Sequence, residues 1–504
     1  MESRSKKSVR NILTGFGSKL ILLILAFSTK TAFVRLLGAE YNGINGLYGN
    51  ILTVLSLADL GIGNVLTFSL YQALKDGDKC KLTTLVNSFK KIYRVIAFSV
   101  LGIGLCLIPF LKFIVKSALP TNKTIIYYIL YLLNSVSSYF VVYKTTVITA
   151  DQKSYITNIC STVSTALMYV LQLIYLYFTH DFLGYLIIQV LCTIGVNLVL
   201  NLIANKMYPY LNDKSLIDKN KIPKGMIGEN IKSTFIYKIC VVLINNTDNI
   251  LISIILGTVY VGYYSNYYAL TQYINTFIAI LSTGLLASLG NLNAENNKEK
   301  SYKIFKTLEL IYTIIANFCV CAFANCLQGF IPIWLGDEYV LPAIDVIAIL
   351  LLFYITTSAA PVWMFRETMG LFKDVKYIMI AALIVNVIIS IILGKAIGLS
   401  GIIFATSISK LSTHYWYEPN MLFKKKFDKK VGMYFVTQIK NLICTLLSLV
   451  LSLLICNYLP KTLIFLVIRV MISGFIVIFF EIIFNFKTEE FKDLKDKILF
   501  VLKR

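Results

Sequence analysis

The chain of 504 residues is 57% hydrophobic and 15% charged, with a mean hydropathy of +0.73, far from the roughly half-apolar, quarter-charged mix of water-soluble domains. Apolar runs of about 20 residues, each enough to cross ~30 Å of hydrocarbon, follow one another almost end to end, which excludes a soluble core of useful size. The formal charge of +22 would suit a nucleic-acid partner in a soluble protein, but here the basic residues sit in short loops between apolar runs. The charge therefore reads as orientation in a membrane, and no nucleic acid is expected.

The segment Met1 to Arg10 is basic, and the apolar stretch behind it is too long for a signal peptide and lacks a small-residue cleavage site, so a retained first helix is expected. Punctuation by charged residues, Asn, Gly and Pro places spans near 12–37, 45–72, 93–115, 125–149, 155–178 and 182–204. A second set follows near 231–256, 261–289, 304–328, 340–364, 374–396 and 400–421, then two more near 433–457 and 462–485. The expected fold is an all-α polytopic membrane protein of about fourteen spans: an N-terminal six-helix bundle over 1–204, a cytoplasmic linker over 205–230, and a second six-helix bundle over 231–423. Two further transmembrane helices over 424–486 and a basic cytoplasmic tail over 487–504 complete it.

Between the second and third spans, Asp78 to Arg94 reads either as a basic amphipathic helix on the cytoplasmic face, with Leu82, Leu85, Val86 and Phe89 on one side, or as a solvated loop. With both termini cytoplasmic, the opposite-side loops hold only Lys116, Lys123, Lys395 and Lys461, while most of the remaining Lys and Arg fall on the cytoplasmic side. That bias sets the orientation. Trp334, Trp363 and Trp416 fall near expected helix ends, as interfacial anchors do.

Nine of the ten cysteines lie inside apolar runs and Cys80 lies in a Lys-rich loop, so no disulfide framework is expected. Cys319 and Cys321 lack further partners at ligand spacing and read as packing residues, leaving no metal or other cofactor to expect.

The two sets of six are related. Asn11 to Tyr48 realigns without gaps on Asn230 to Tyr267 at an offset of 219, with nine identities in 38 positions. Leu37-Gly38-Ala39-Glu40-Tyr41-Asn42-Gly43 matches Leu256-Gly257-Thr258-Val259-Tyr260-Val261-Gly262 as L-G-x-x-Y-x-G, and Phe16, Lys19 and Tyr48 match Phe235, Lys238 and Tyr267. Similarity between unrelated apolar helices does not place glycines, tyrosines and a lysine in register. An even number of spans per copy implies parallel repeats related by an axis along the membrane normal, with a cavity expected between them.

Charges at bilayer depth cost at least ~2.5–3.5 kcal/mol each near a helix centre, so they mark cavities and function. Lys19 and Lys30, eleven residues apart, lie about 20° from each other around one helix. The matching positions in the second copy are Lys238 and Asn249; Asn245 falls on the same stripe, and Asp248 lies about 80° away. Lys19 and Lys238 are read as cavity-lining, since both copies carry them; Lys30 either lines the cavity or snorkels outward. Lys410, near mid-depth with His414 one turn below, is the further candidate, while Lys144 reads as an interfacial anchor and Lys112, Lys440 and Arg469 are secondary. Asp59 and Asp248 pair with these lysines or carry a coupling ion. Such lysines suit an anionic, phosphate-bearing headgroup better than a neutral or cationic cargo.

The run Leu37 to Leu47, then Leu55-Ser56-Leu57-Ala58-Asp59-Leu60-Gly61-Ile62-Gly63 and Phe68-Ser69-Leu70-Tyr71, together with Tyr143-Lys144, Ala150-Asp151-Gln152-Lys153 and Gly370-Leu371-Phe372-Lys373, resembles the Wzx-type flippases of polysaccharide repeat units. It is similar to the broader superfamily that also holds multidrug exporters and the peptidoglycan-precursor flippase. The resemblance implies a non-enzymatic transporter of the bacterial cytoplasmic membrane. Its expected cargo is an undecaprenyl-diphosphate-linked oligosaccharide, turned across by alternating access for capsule, exopolysaccharide or O-antigen synthesis. A polysaccharide polymerase and glycosyltransferases are the implied partners, besides membrane lipids. An ion-coupled multidrug exporter of the same superfamily is the alternative. An extracellular glycan polymerase is disfavoured, since no outward loop much exceeds a dozen residues, and no P-loop, HExxH or nucleophile elbow is present.

Overall fold

The computed structural model describes residues 4–59, 62–218, 229–295 and 297–502; within these, the side chains at 4–16, 18–20, 58, 59, 62, 64, 65, 68, 214, 229–231 and 497–502 lie outside the described residues. Among the described residues the regular structure is all helical, as an apolar solvent demands of a chain that must satisfy its own backbone. In chain order the helices are α1 (Arg4–Leu55), α2 (Ile62–Asp76), α3 (Lys79–Cys106), α4 (Leu111–Ile114), α5 (Thr121–Tyr139), α6 (Val142–Ala150), α7 (Ser154–Thr179), α8 (Phe182–Met207) and α9 (Glu229–Ile255). There follow α10 (Thr258–Ala294), α11 (Lys298–Trp334), α12 (Ala343–Ser358), α13 (Ala360–Thr368), α14 (Phe372–Ile397), α15 (Leu399–Ser412), α16 (His414–Leu422), α17 (Gly432–Cys456), α18 (Leu463–Asn485) and α19 (Glu489–Leu502).

Among the described residues, ten helical segments are long and apolar enough to cross a membrane, or up to twelve if each of two bent pairs is one span. The protein is thus a multi-pass membrane protein. The expected spans that do not appear as separate straight helices are explained by breaks. The first two share α1, which is continuous except at Gly38, where φ 87° and ψ 179° interrupt it. The rest of the second is the 15-residue α2, and the twelfth is divided into α15 and α16 at Thr413.

The segment from Asp78 forms the helix of the first reading and not the solvated loop of the second. Asp78 caps α3 by accepting from the Lys81 amide, and the helix then runs unbroken to Cys106. Leu82, Leu85, Val86 and Phe89 are buried, but they turn toward protein. Thr83 Oγ1 donates to the Tyr210 carbonyl at 3.2 Å, Asn87 Nδ2 to the Leu211 carbonyl at 3.4 Å, and the Asp218 amide donates to Thr84 Oγ1 at 2.9 Å. The chain after α8 is thereby pinned along α3. In that stretch the hydroxyl and amide of Ser215 donate to Asp213 and hold its carboxyl below the usual range.

The chain forms two compact units, one up to Gly262 and one from Tyr263 onward. In the first, α1 packs on α7 and α9, α7 on α8, and α5 on α8. In the second, α14 packs on α15, α12 on α15, and α11 on α12, α17 and α18.

The internal repeat is visible in the backbone. α5 and α6 meet at a 46° bend after Tyr139, and α12 and α13 at a 40° bend after Ser358, again 219 residues on. Gly38 and Gly257, partners in the sequence alignment, both have positive φ, 87° and 110°, which glycine adopts without the Cβ penalty. Most telling are Gly43 and Gly262, both within the first unit. A Cβ on Gly43 would stand 1.9 Å from the Thr258 carbonyl oxygen, and one on Gly262 would stand 2.0 Å from the Ala39 carbonyl oxygen. Ala39 and Thr258 are themselves repeat partners. The two motif copies therefore meet reciprocally, each glycine against the other copy's carbonyl, as in a contact across a two-fold axis. Close backbone approach through small residues is a favoured way for helices to associate in lipid.

Substituting alanine at Gly43 or Gly262 is expected to cost about 1–3 kcal/mol of stability by overpacking. Alanine at Gly49, which has open space around it, serves as the control and should leave the thermal midpoint of the detergent-purified protein unchanged or raised.

Candidate functional site

Of the sequence candidates in the first unit, Lys19 and Asp59 have side chains outside the described residues. Lys30 is part-buried, and its ammonium donates to Asn42 Oδ1. Asn42 is fully buried, and its Nδ2 donates in turn to the Gly262 carbonyl at 2.7 Å. The lysine is thus tied through one amide to the junction of the two glycine motifs. Its ammonium does not snorkel freely outward, because Asn42 follows the break at Gly38 and folds back beside it.

On α9 the candidates separate. Asn245 is exposed, Lys238 is part-buried, and Asp248 and Asn249 are each buried. Asn249 Oδ1 has no hydrogen-bond partner among the described residues. Because Asn249 is the repeat partner of Lys30, one aligned position carries a tethered cation in the first copy and a buried amide in the second. Also in the first unit, the rings of Phe33, Tyr41, Tyr127, Phe182 and Tyr185 pack edge-on or tilted, with centroids 4.7–6.3 Å apart. Ser253 joins the junction by donating to the Ile114 carbonyl at 2.6 Å.

Lys144 is corrected. It is not an interfacial anchor: it is buried, and its ammonium donates to Asn201 Oδ1 at 2.9 Å, Asn205 Oδ1 at 2.5 Å and Asn212 Oδ1 at 3.4 Å. Three amide oxygens on and just beyond the end of α8 collect the charge of α6. An ammonium has three donors and no acceptor, so the set is fully matched.

The second unit carries a comparable tie that the sequence reading missed. Arg366 on α13 and Glu418 on α16 form a buried ion pair, with Arg366 Nη1 at 2.7 and 2.8 Å from the two carboxylate oxygens. Both side chains are only about 4–5% exposed. Arg366 falls just past an expected span end and Glu418 near another, where charges read as ordinary interface residues. The available sequence signal was Pro361 at the start of α13, where the 40° bend falls. Beside the pair, Phe305, Phe365, Phe423, Phe427 and Tyr434 form one aromatic core. Lys410 of α15 is part-buried, and its ammonium donates to Thr356 Oγ1 on α12 at 2.9 Å. His414 is also part-buried, at the break between α15 and α16.

A second feature unseen in the sequence runs along α11, α17 and α18. Glu309 accepts from Gln438 Nε2 at 2.7 Å, Asn441 Nδ2 donates to Thr313 at 3.1 Å, and Asn317 Nδ2 donates to Glu481 at 3.1 Å. Further along, Asn325 Nδ2 donates to Ser452 and Ser473. At the Glu481 end Lys440 donates to Asn485 at 2.7 Å. The positions 309, 313, 317 and 325 recur at one- and two-turn spacing on one face of α11, so the polar seam is a helical stripe. Trp334, expected as an interfacial anchor, is buried at the end of this helix, whereas Trp416 is exposed and donates to the Ser412 carbonyl.

The architecture defines the class: an all-α, multi-pass membrane protein built as a doubled helical unit. Among solved structures, this chain is similar to the lipid II flippase MurJ in an inward closed conformation. The TM-score is 0.60 at 15% identity, over 94% of this chain and 98% of that one. It is also similar to an inward-facing multidrug resistance MATE family transporter (TM-score 0.57, 13% identity, 80% of this chain and 95% of that one). A MOP-superfamily transporter from Pyrococcus furiosus, whose binding pocket is described as of reversed polarity, gives a TM-score of 0.55 at 13% identity, over 84% of this chain and 97% of that one. No protein-family model and no curated protein sequence matches the chain. The shared property at these identities is the fold.

Replacing Arg366 or Glu418 alone by glutamine strands the other charge in a buried site, and each variant is expected to lose about 3–5 kcal/mol of stability. The double replacement R366M/E418L should recover much of that loss. Denaturation of the three proteins side by side in one detergent checks the coupling.

Proposed function

We propose that the protein is a flippase that moves diphosphate-linked oligosaccharide lipids across the bacterial cytoplasmic membrane by alternating access, in the service of capsule, exopolysaccharide or O-antigen synthesis. The observation that carries this reading is how much of the chain each neighbour accounts for. The MurJ structure, a lipid II flippase by its description, matches 94% of the chain, against 80–85% for the MATE-like transporters. The additional helices α17 and α18 distinguish a chain of this length from a bare doubled six-helix unit.

The charge of the intramembrane residues supports an anionic cargo. Lys19, Lys30 and Lys238 lie on the helices that open the two copies, and Lys410 lies on α15. The ammoniums of Lys30 and Lys410 donate to a neutral amide and a hydroxyl oxygen, and lysines at this depth supply a positive field. A diphosphate brings at least two negative charges to such a field. The Pyrococcus protein's title ties the polarity of its pocket to a different function, so charge is the property to test in this fold. Polymerase and glycosyltransferase partners belong to the same proposal.

The second reading, an ion-coupled multidrug exporter, draws on the buried Asp248, the kind of carboxylate that would hold a cation inside a membrane.

Neutralising Lys19 and Lys238 together (K19A/K238A) is expected to stop delivery of lipid-linked repeat units to the outer leaflet while leaving protein abundance normal. Deleting the gene should trap those units in the inner leaflet. Full export by the double variant would overturn the anionic-cargo assignment. Drug sensitivity on deletion, with no trapped glycolipid, would favour the exporter.

A further inference from the structure

Arg469 is the most demanding charge in the second unit. It sits six residues into α18, about 9 Å along the helix from its start, and is 6% exposed. Its Nη1 donates to the Asn325 carbonyl at 2.9 Å and its Nη2 to the Leu459 carbonyl at 2.6 Å. Its Nε is buried without a partner, and among the described residues no carboxylate lies within ion-pair distance. The ionisable groups beside it are the thiols of Cys326 and Cys456. Two carbonyl dipoles satisfy some of the donors but do not neutralise the charge, and a buried cation in an apolar bundle is retained at a cost that calls for an anion.

Space for that anion adjoins it. A cavity of about 470 Å³ is lined by Asn325, Gln328, Asn457, Lys461 and Arg469, with apolar walls from α17. Lys461 supplies a second positive charge at the rim. It lies across α11 at Gly329, where an added Cβ would be 3.5 Å from the lysine's own Cβ. Two cations, a planar fork inside and a point charge at the mouth, face Asn457, whose amide can donate to remaining oxygens, and Gln328, one of whose Nε2 hydrogens is taken by the Leu341 carbonyl; the Asn325 amide is engaged by Ser452 and Ser473. That combination suits a tetrahedral oxyanion. The cavity lies where α11 and α17 end and α18 begins, close to headgroup depth for spans of this length.

We propose that this cavity is a phosphate-binding site, occupied by the phosphate of a lipid headgroup or by free phosphate, with Arg469 as the buried ligand and Lys461 as the rim ligand. The site is separate from Lys19, Lys30 and Lys238 and does not depend on what the protein transports.

The full-length protein purified in detergent is titrated with inorganic phosphate and, at matched ionic strength, with chloride. In parallel it is incubated with phosphatidylglycerol or with digalactosyldiacylglycerol, which lacks phosphate, and retained lipid is counted by native mass spectrometry. Phosphate-selective stabilisation assigns free phosphate, and selective retention of phosphatidylglycerol assigns the headgroup; either supports the site. Binding should fall about tenfold in R469Q and about threefold in K461A, and K461R should restore it. Should R469Q fail to fold, the Lys461 pair decides. Equal responses to phosphate and chloride with equal retention of both lipids, or undiminished binding in K461A, would overturn the proposal.

Discussion

What this chain must solve is the pairing of polar groups in surroundings that offer no water. Apolar packing alone barely distinguishes one helix partner from another in lipid, because the acyl chains are as apolar as leucine. Specific geometry has to come from close backbone approach and from hydrogen bonds that have no substitute. Gly43 and Gly262 provide the first, each against a carbonyl of the other motif copy. The Lys30–Asn42–Gly262 relay, the three asparagines on Lys144, the Arg366–Glu418 pair and the seam along α11 provide the second.

These ties are distributed with a purpose that the fold makes plain. Each unit has a bent pair, α5 with α6 and α12 with α13, and each fixes the short arm of its bend with a buried cation, Lys144 in one and Arg366 in the other. The means differ: neutral amides hold the first, a carboxylate the second. A cation held by amides keeps its net charge, whereas an ion pair cancels it, so the two units differ in local field while sharing a backbone plan.

Much of the fold could be read from the residues, because apolar length and the 219-residue repeat are properties of the sequence itself. The turn at Gly38 was implicit in L-G-x-x-Y-x-G, although its reach, one residue between two rods, was not. Pro361 stands just beyond the break after Ser358, but no proline or charge run marks the break at Thr413. The candidate site was legible only as a set of costly charges. Sequence placed Lys30 and Asn249 in register, but whether a lysine meets lipid, an amide or an acid depends on helix rotation, which periodicity along one helix does not determine. Lys144 illustrates the point: its distance from a span end suggested an anchor, while its partners lie 57 to 68 residues away. Arg366 and Glu418 escaped notice for the converse reason, since charges near expected span ends look ordinary until the chain is seen to fold back.

The reciprocal glycine contact also bears on ancestry and on dissection of the gene. Each glycine makes room for a backbone carbonyl of the other copy, so a polypeptide holding a single copy would leave that surface unmet. It could complete the surface only by finding its own twin. A tandem fusion of such twins removes the search, after which the halves are free to diverge, as Lys30 and Asn249 have done.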